Sequence, residues 1–217
     1  VVSPSGAPDS VFNSSVYSGI DIAFEDDFQT DKGWSVQTDA TEGAWIRVVP
    51  SAGGARCDAP SDADGSSVCY VTGNGATEDV DSGTTTLYSP IMDASEAPVL
   101  SYYRWYSNGG DCSGADPNSD FFYVDISSDG GLTWLNLETV GPTNESSGGW
   151  YFVEFDLSDV NGFEPTNNFQ VRYVCGDLGA GSVVEAGIDG IEMKSSFCDV
   201  SCIEDVNGDG SEDSFEY

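Results

Sequence analysis

"WYFVEFDL", Trp150–Leu157, decides the fold class. Successive side chains of an extended strand point to opposite faces, so Tyr151, Val153, Phe155 and Leu157 share one side and Trp150, Phe152, Glu154 and Asp156 the other. "FFYVDIS", Phe121–Ser127, repeats the pattern, with Phe122, Val124 and Ile126 against Phe121, Tyr123 and Asp125. The first set in each stretch is expected to fill a core between two sheets. The second set leaves aromatic rings beside carboxylates on an outer or concave face, a composition that suits sugar binding.

Outward from these two stretches, short segments rich in β-branched and aromatic residues recur between Gly/Asp/Ser turns. They predict strands at Ile20–Glu25, Ala44–Val49, Ser67–Thr72, Thr84–Ser89, Val99–Tyr106, Phe121–Ser127, Thr133–Val140, Trp150–Leu157, Phe169–Cys175 and Ser182–Met193. "SSDGGLTW", Ser127–Trp134, carries a glycine-containing hairpin signal. No stretch shows helical periodicity. The expected fold is all-β, a two-sheet jelly-roll sandwich. Residues 1–18 read as an arm or linker, 19–194 as the jelly-roll domain, and 195–217 as a stapled tail.

The 217 residues carry 38 Asp and Glu against 6 Lys and Arg, with no histidine, for a net charge of −32. Such a surface repels nucleic acid and anionic lipid and attracts divalent cations. Without histidine there is no histidine-based catalytic triad or histidine metal site, and catalysis is not expected. No apolar run is long enough to cross a membrane as a helix. Six cysteines in polar, Gly-rich surroundings point to an oxidising, extracellular setting. Their order suggests the pairs Cys57–Cys69, Cys112–Cys175 and Cys198–Cys202, though six cysteines allow other pairings. Asn13 and Asn144 each begin a glycosylation sequon.

The tail contains "DVNGDGSEDSFE", Asp205–Glu216. It meets the D-x-N-x-D-G-x5-E pattern of a calcium loop, with ligands expected from Asp205, Asn207, Asp209, Ser211 through its carbonyl, Asp213 and Glu216, and the turn at Gly210. The loop resembles a dockerin-type repeat. It departs from that pattern at its eighth position, where Glu212 stands in place of an apolar residue.

In order along the chain come "FEDDF" (24–28), "GW" (33–34), "CYVTGNG" (69–75), "DVDSGTTTLYSP" (79–90), "LSYYRWYSN" (100–108), "VDISSDGGLTW" (124–134) and "GDLGAGSVVEAGIDGIEM" (176–193). Together they resemble the secreted bacterial domain called choice-of-anchor J, close to the cleaved-adhesin domains of gingipains and more distantly to MAM domains. The resemblance implies a non-catalytic accessory domain with a calcium ion in the sandwich. Its ligands would be Glu25 and Asp189, with Asp27 as a replacement for the acid that Gly190 displaces.

The function expected from these readings is a secreted module for adhesion or carbohydrate binding, with Tyr103, Trp105, Phe121, Tyr123, Trp150 and Phe152 as contacts. The rival is a structural subunit of an extracellular fibre or layer, joined to its own copies by calcium and by the arm "VFNSSVYSGI", Val11–Ile20. Arg104 lies in the apolar stretch "LSYYRWY", and a charge there needs a partner, expected to be Glu185 or Asp177.

Overall fold

Eleven strands account for the regular structure of the residues described, which are 19–51, 53, 56–109 and 114–197 of a computed structural model. They are β1 Gly19–Asp26, β2 Ser35–Thr38, β3 Trp45–Val48, β4 Cys69–Thr72, β5 Gly83–Tyr88, β6 Val99–Ser107, β7 Phe122–Ser127, β8 Leu135–Val140, β9 Ser147–Asp156, β10 Gln170–Asp177 and β11 Glu185–Phe197. One 3-10 turn, Leu157–Asp159, follows β9, and there is no α-helix among the described residues. Ten of the strands coincide with the alternating segments of the sequence. The eleventh, β2, is a fully exposed four-residue edge. Contacts divide the chain into a unit of Ile22–Ser195 and a second of Val1–Asp21 with Ser196–Tyr217. The first unit is described below. The arm 1–18 and the loop Asp205–Glu216 lie outside the described residues.

The strands form two sheets. The first has the order β3-β4-β11-β6-β9, with β1 also paired to β11, and the second has the order β2-β5-β10-β7-β8. The eight strands β4 to β11 are distributed between the sheets as in a jelly roll, four to each. β3 and β2 extend one edge of each sheet. The expected two-sheet jelly roll is therefore the observed fold.

Between the sheets lies a core of alternate residues. Leu100, Tyr102 and Tyr106 of β6 and Ile188 of β11 face Phe122, Val124 and Ile126 of β7 and Val171 and Tyr173 of β10, all fully buried. Each such side chain contributes about 1.5–3 kcal/mol by leaving water. Val153, Phe155 and Leu157 pack against this core as the alternation predicts. Tyr151 departs from the expected interior set. It is 36% exposed, and its ring lies under the Arg104 guanidinium at 5.5 Å.

Arg104 does point between the sheets, but neither Glu185 nor Asp177 is its partner. Its Nε donates to Glu138 Oε1 at 2.8 Å, and Nη2 pairs with Glu145. The Tyr102 hydroxyl donates to the other Glu138 oxygen at 3.0 Å. The reason is facing. On β6, Arg104 shares the inward side with Tyr102, whereas Glu185 shares the outward side of β11 with Asp189, because Ile188 between them fills the core.

Two of the expected disulfides are corrected. Cys69 and Cys175 are free, buried thiols, so neither Cys57–Cys69 nor Cys112–Cys175 forms. Both sit inside strands, where a cysteine packs as a small apolar residue. Cys57 is disulfide-bonded, to neither of those two. The pair Cys198–Cys202 lies outside the described residues.

Candidate metal centre and ligand face

The outward side of the first sheet is organised in cross-strand rungs. Asp189 of β11 stands beside Tyr103 of β6 and Phe152 of β9. The next rung is Val71, Gly187, Trp105 and Trp150, and the one after it is Glu185, Ser107 and Ser147. The segment from Arg56 to Val68 packs over part of this face. Trp105 Nε1 donates to the Cys57 carbonyl at 2.8 Å, and Trp150 Nε1 donates to the Ser61 carbonyl at 2.9 Å. Ala59 packs with Cys69, Val71 and both indoles in a small second core. Gly187 is required beneath them, since a Cβ there would lie 2.8 Å from the Trp150 ring.

This clamp brings Asp62 and Asp64 to Asp189. One oxygen from each of the three carboxylates lies within 4.8 Å of the others. Asp189 is fully buried and accepts backbone N–H bonds from Ala63 (2.7 Å), Asp64 (3.1 Å) and Gly190 (2.9 Å). Burial pushes its pKa up to about 6 against those three bonds, and the Asp64 charge adds to the rise. A β-bulge begins at Asp189 and turns the strand there. Gly190 adopts φ +53° in that bulge, and a side chain on it would crowd the Tyr103 ring at 3.1 Å. That is the physical reason no second acid follows Asp189.

Three carboxylates with hard oxygen donors suit calcium, with backbone carbonyls and water free to complete its six to eight ligands. Of the residues expected at this site, Asp189 is central, but the acids grouped with it are Asp62 and Asp64. Glu25 and Asp27 line an adjoining groove of about 390 Å³ with Asp64, Tyr103, Phe152 and Lys32. There the Lys32 ammonium donates to the Glu25 carbonyl, and Asp27 Oδ1 accepts from the Gln29 N–H at 3.1 Å. Nothing in the sequence distinguished Asp62 and Asp64 from the other loop acids.

The six expected contact aromatics do not form one surface. Tyr103, Trp105, Trp150 and Phe152 belong to the outer face of the first sheet, and Phe121 and Tyr123 to the opposite side of the sandwich. Alternation separates inward from outward but does not say to which sheet a strand belongs. Trp105 and Trp150 have their N–H groups committed to the covering segment. Tyr103 and Phe152 pair at 5.1 Å between centroids, and Phe152 is 53% exposed.

The outer face of the second sheet is built differently. One rung crosses four strands as Tyr88, Arg172, Asp125 and Asn136, and the next as Thr86, Val174 and Tyr123, with Thr139 opposite Tyr123. Arg172 Nε and Nη2 both reach Asp125 Oδ2, at 3.0 and 2.9 Å, and Asn136 Nδ2 donates to Asp125 Oδ1 at 3.0 Å. The guanidinium lies 4.4 Å from the centre of the Trp134 ring, which meets Tyr88 edge-on at 5.8 Å. Tyr123 is 39% exposed and stacks on Phe121 at 5.9 Å. Thr86, Tyr123, Asp125, Asn136, Thr139, Arg172 and Val174 line an open depression of about 420 Å³. Tyr88, Trp134, Arg172, Asp125 and Asn136 were not among the expected contacts. The signal for Asp125 was present in its alternation with Tyr123.

The fold has known counterparts. The K3 cleaved adhesin domain of Lys-gingipain from Porphyromonas gingivalis superposes with a TM-score of 0.52 at 14% identity, covering 82% of this chain and 99% of that one. The K2 domain of the same protein gives 0.49 at 17% identity, over 78% and 96%. A family 11 carbohydrate-binding module of a cellulosomal cellulase of Clostridium thermocellum gives 0.45 at 13% identity, over 83% and 95%. At such identities the likeness to the K3 domain is one of fold. No protein-family model and no curated protein matches the chain.

Proposed function

We propose that the chain is a secreted, non-catalytic, calcium-binding jelly-roll module that binds carbohydrate on the outer face of its second sheet. The observation that carries this reading is the pair of rungs Tyr88–Arg172–Asp125–Asn136 and Thr86–Val174–Tyr123. A pyranose offers apolar C–H faces and a rim of hydroxyls. The exposed Tyr123 ring, with Trp134 and Tyr88 flanking Arg172, takes the first, and Asp125, Asn136 and Arg172 hydrogen-bond the second. The salt bridge between Arg172 and Asp125 holds these polar groups in place before the ligand arrives, which lowers the cost of binding. Of the residues lining the depression only Asp125 is a carboxylate, and a glycosidase needs two. Adhesion is the role named for the K3 domain whose fold this chain shares.

Calcium is assigned to Asp62, Asp64 and Asp189, where it ties the segment after Arg56 to β11. A second calcium is assigned to Asp205, Asn207, Asp209, Ser211, Asp213 and Glu216. Both ions serve rigidity rather than chemistry.

A panel of soluble glycans and insoluble polysaccharides, screened in millimolar calcium with the full chain, tests the reading. Saturable binding is expected, lost in Tyr123→Ala and Trp134→Ala and kept in Phe152→Ala. Loss in Phe152→Ala alone would move the site to the first sheet. No binding to any member would refute the carbohydrate reading.

A further inference from the structure

Four residues before Asp189, on the same outward side of β11, Glu185 is 1% exposed. Its Oε2 accepts from the Thr72 hydroxyl at 2.9 Å, and its Oε1 is buried without a hydrogen-bond partner. Directly across the strand pair stands Ser107, fully buried, whose hydroxyl also has none. Asp79 lies close by. It is fully buried, pairs through Oδ1 with Arg56, and leaves Oδ2 unpartnered, and the N–H of its neighbour Val80 donates to the carbonyl of Val184, next to Glu185, at 3.0 Å. Asp58, 7% exposed, acts on the same Glu185 carboxyl.

Buried oxygens in this number ordinarily have partners, and each one left without costs about 1–3 kcal/mol. The charges are out of balance as well. Asp58 and Asp79 act on Glu185, Asp81 acts on Asp79, and Arg56, its side chain 33% exposed, is the cation acting on both Glu185 and Asp79. A divalent cation would offset most of that negative excess. Apart from Arg56 Nε, the unpartnered atoms here are hard oxygens of carboxylate or hydroxyl type, which calcium prefers and soft metals do not.

We propose that Glu185, Asp79 and Ser107 form a further calcium site on the first sheet, distinct from the one at Asp189. The ion sits over the start of β11, takes Glu185 Oε1, Asp79 Oδ2 and the Ser107 hydroxyl, and leaves Arg56 on the outer oxygen of Asp79. It closes the end of the covering segment at Asp58 as the ion at Asp189 closes the end at Asp62 and Asp64. Burial together with the Asp58 and Asp79 charges pushes the Glu185 pKa up to about 9, against the Thr72 bond and Arg56. The competing occupant of Glu185 is thus a proton, and the two differ in a measurable way. Glutamine reproduces the shape and neutrality of a protonated glutamate but offers calcium a neutral carbonyl oxygen in place of a carboxylate, which weakens the binding.

The test is calcium stoichiometry by equilibrium dialysis at pH 7.5, on the full chain with the terminal loop silenced by Asp205→Ala and Asp209→Ala. That background is expected to bind two ions per chain. Glu185→Gln is expected to bind one and Asp189→Asn the other, with both variants folded by circular dichroism. Asp79→Asn serves as the second variant if Glu185→Gln does not fold, with the same expected loss of one ion. A Glu185→Gln or Asp79→Asn chain that folds and binds as much calcium as its background overturns the proposal. So does a background that binds a single ion removed by Asp189→Asn.

Discussion

Trp150 and Trp134 both stand on the outside of a sheet, yet they are held in opposite ways. The Trp150 indole donates to Ser61 and is packed under the segment that carries Asp62 and Asp64. The Trp134 indole donates to Gly131 in its own hairpin, so its ring stays with Arg172 and Tyr88 on an open face. The first face spends its aromatic rings on fixing a covering segment over buried acids. The second keeps its rings and polar groups uncovered and braced against one another. An aromatic residue outside a β-sandwich is therefore not by itself a binding residue. What its N–H or O–H is tied to decides its part.

The most damaging way to break this contrast is to remove the clamp. Trp150→Ala deletes a large partly buried ring and its bond to Ser61, and is expected to cost about 3 kcal/mol. Equilibrium unfolding in urea measures it, and a loss below about 1 kcal/mol would mean that the indole does not secure the segment. Trp134→Ala is expected to cost less than about 1 kcal/mol in the same experiment, because its ring lies outside both cores.

Calcium removal comes next. At a free calcium concentration a hundredfold above Kd, one ion adds about 2.7 kcal/mol to stability, which a chelator withdraws. The pH dependence follows from Asp189. Its pKa is raised from 3.8 to about 6, so without metal its contribution is fully present below pH 3.8 and is lost as the pH rises through 6. Calcium needs the deprotonated form, so the stabilisation by calcium grows over that same window. Melting curves between pH 4 and 7.5, with calcium and with chelator, are expected to diverge as pH rises. In Asp189→Asn the divergence due to this site is expected to vanish.

The ligand face gives a smaller effect. Asp125→Ala removes the group that both Arg172 and Asn136 engage, and a tenfold loss of glycan affinity, about 1.4 kcal/mol, is expected by calorimetry. Binding unchanged in both Asp125→Ala and Tyr123→Ala would place recognition elsewhere.

Much of the fold was legible because alternation is a local property of the chain. Phe122, Val124 and Ile126 show their side of β7 without reference to any other strand. β2 was missed because "SVQT" is short and exposed on both sides, which leaves no pattern to read. Sheet membership is a property of topology, and so Tyr123 and Phe152 were grouped although they lie on opposite sides of the sandwich. Asp189 stood out through its sequence context, whereas Asp62 and Asp64 are acids in an acid-rich loop, brought to it by the bond from Trp150 to Ser61. The cysteine count suggested disulfides, but "CYVT" and "VRYVC" place Cys69 and Cys175 inside strands, where burial competes with pairing.

Phe152 sharpens the comparison most, although its expected effect is the smallest. It is an exposed aromatic beside a groove with Glu25, Asp27 and Asp64, the very composition that suggested sugar contact from sequence. On the reasoning above it is neither clamp nor ligand platform, since its ring pairs with Tyr103 in a tilted arrangement and is 53% exposed. Phe152→Ala is expected to change stability by about 0.5 kcal/mol or less, in line with surface substitutions. Glycan affinity is expected to stay within twofold of the unsubstituted chain by calorimetry. A tenfold loss of affinity with stability intact would show that the groove beside Asp189, and not the rungs around Arg172, receives the ligand.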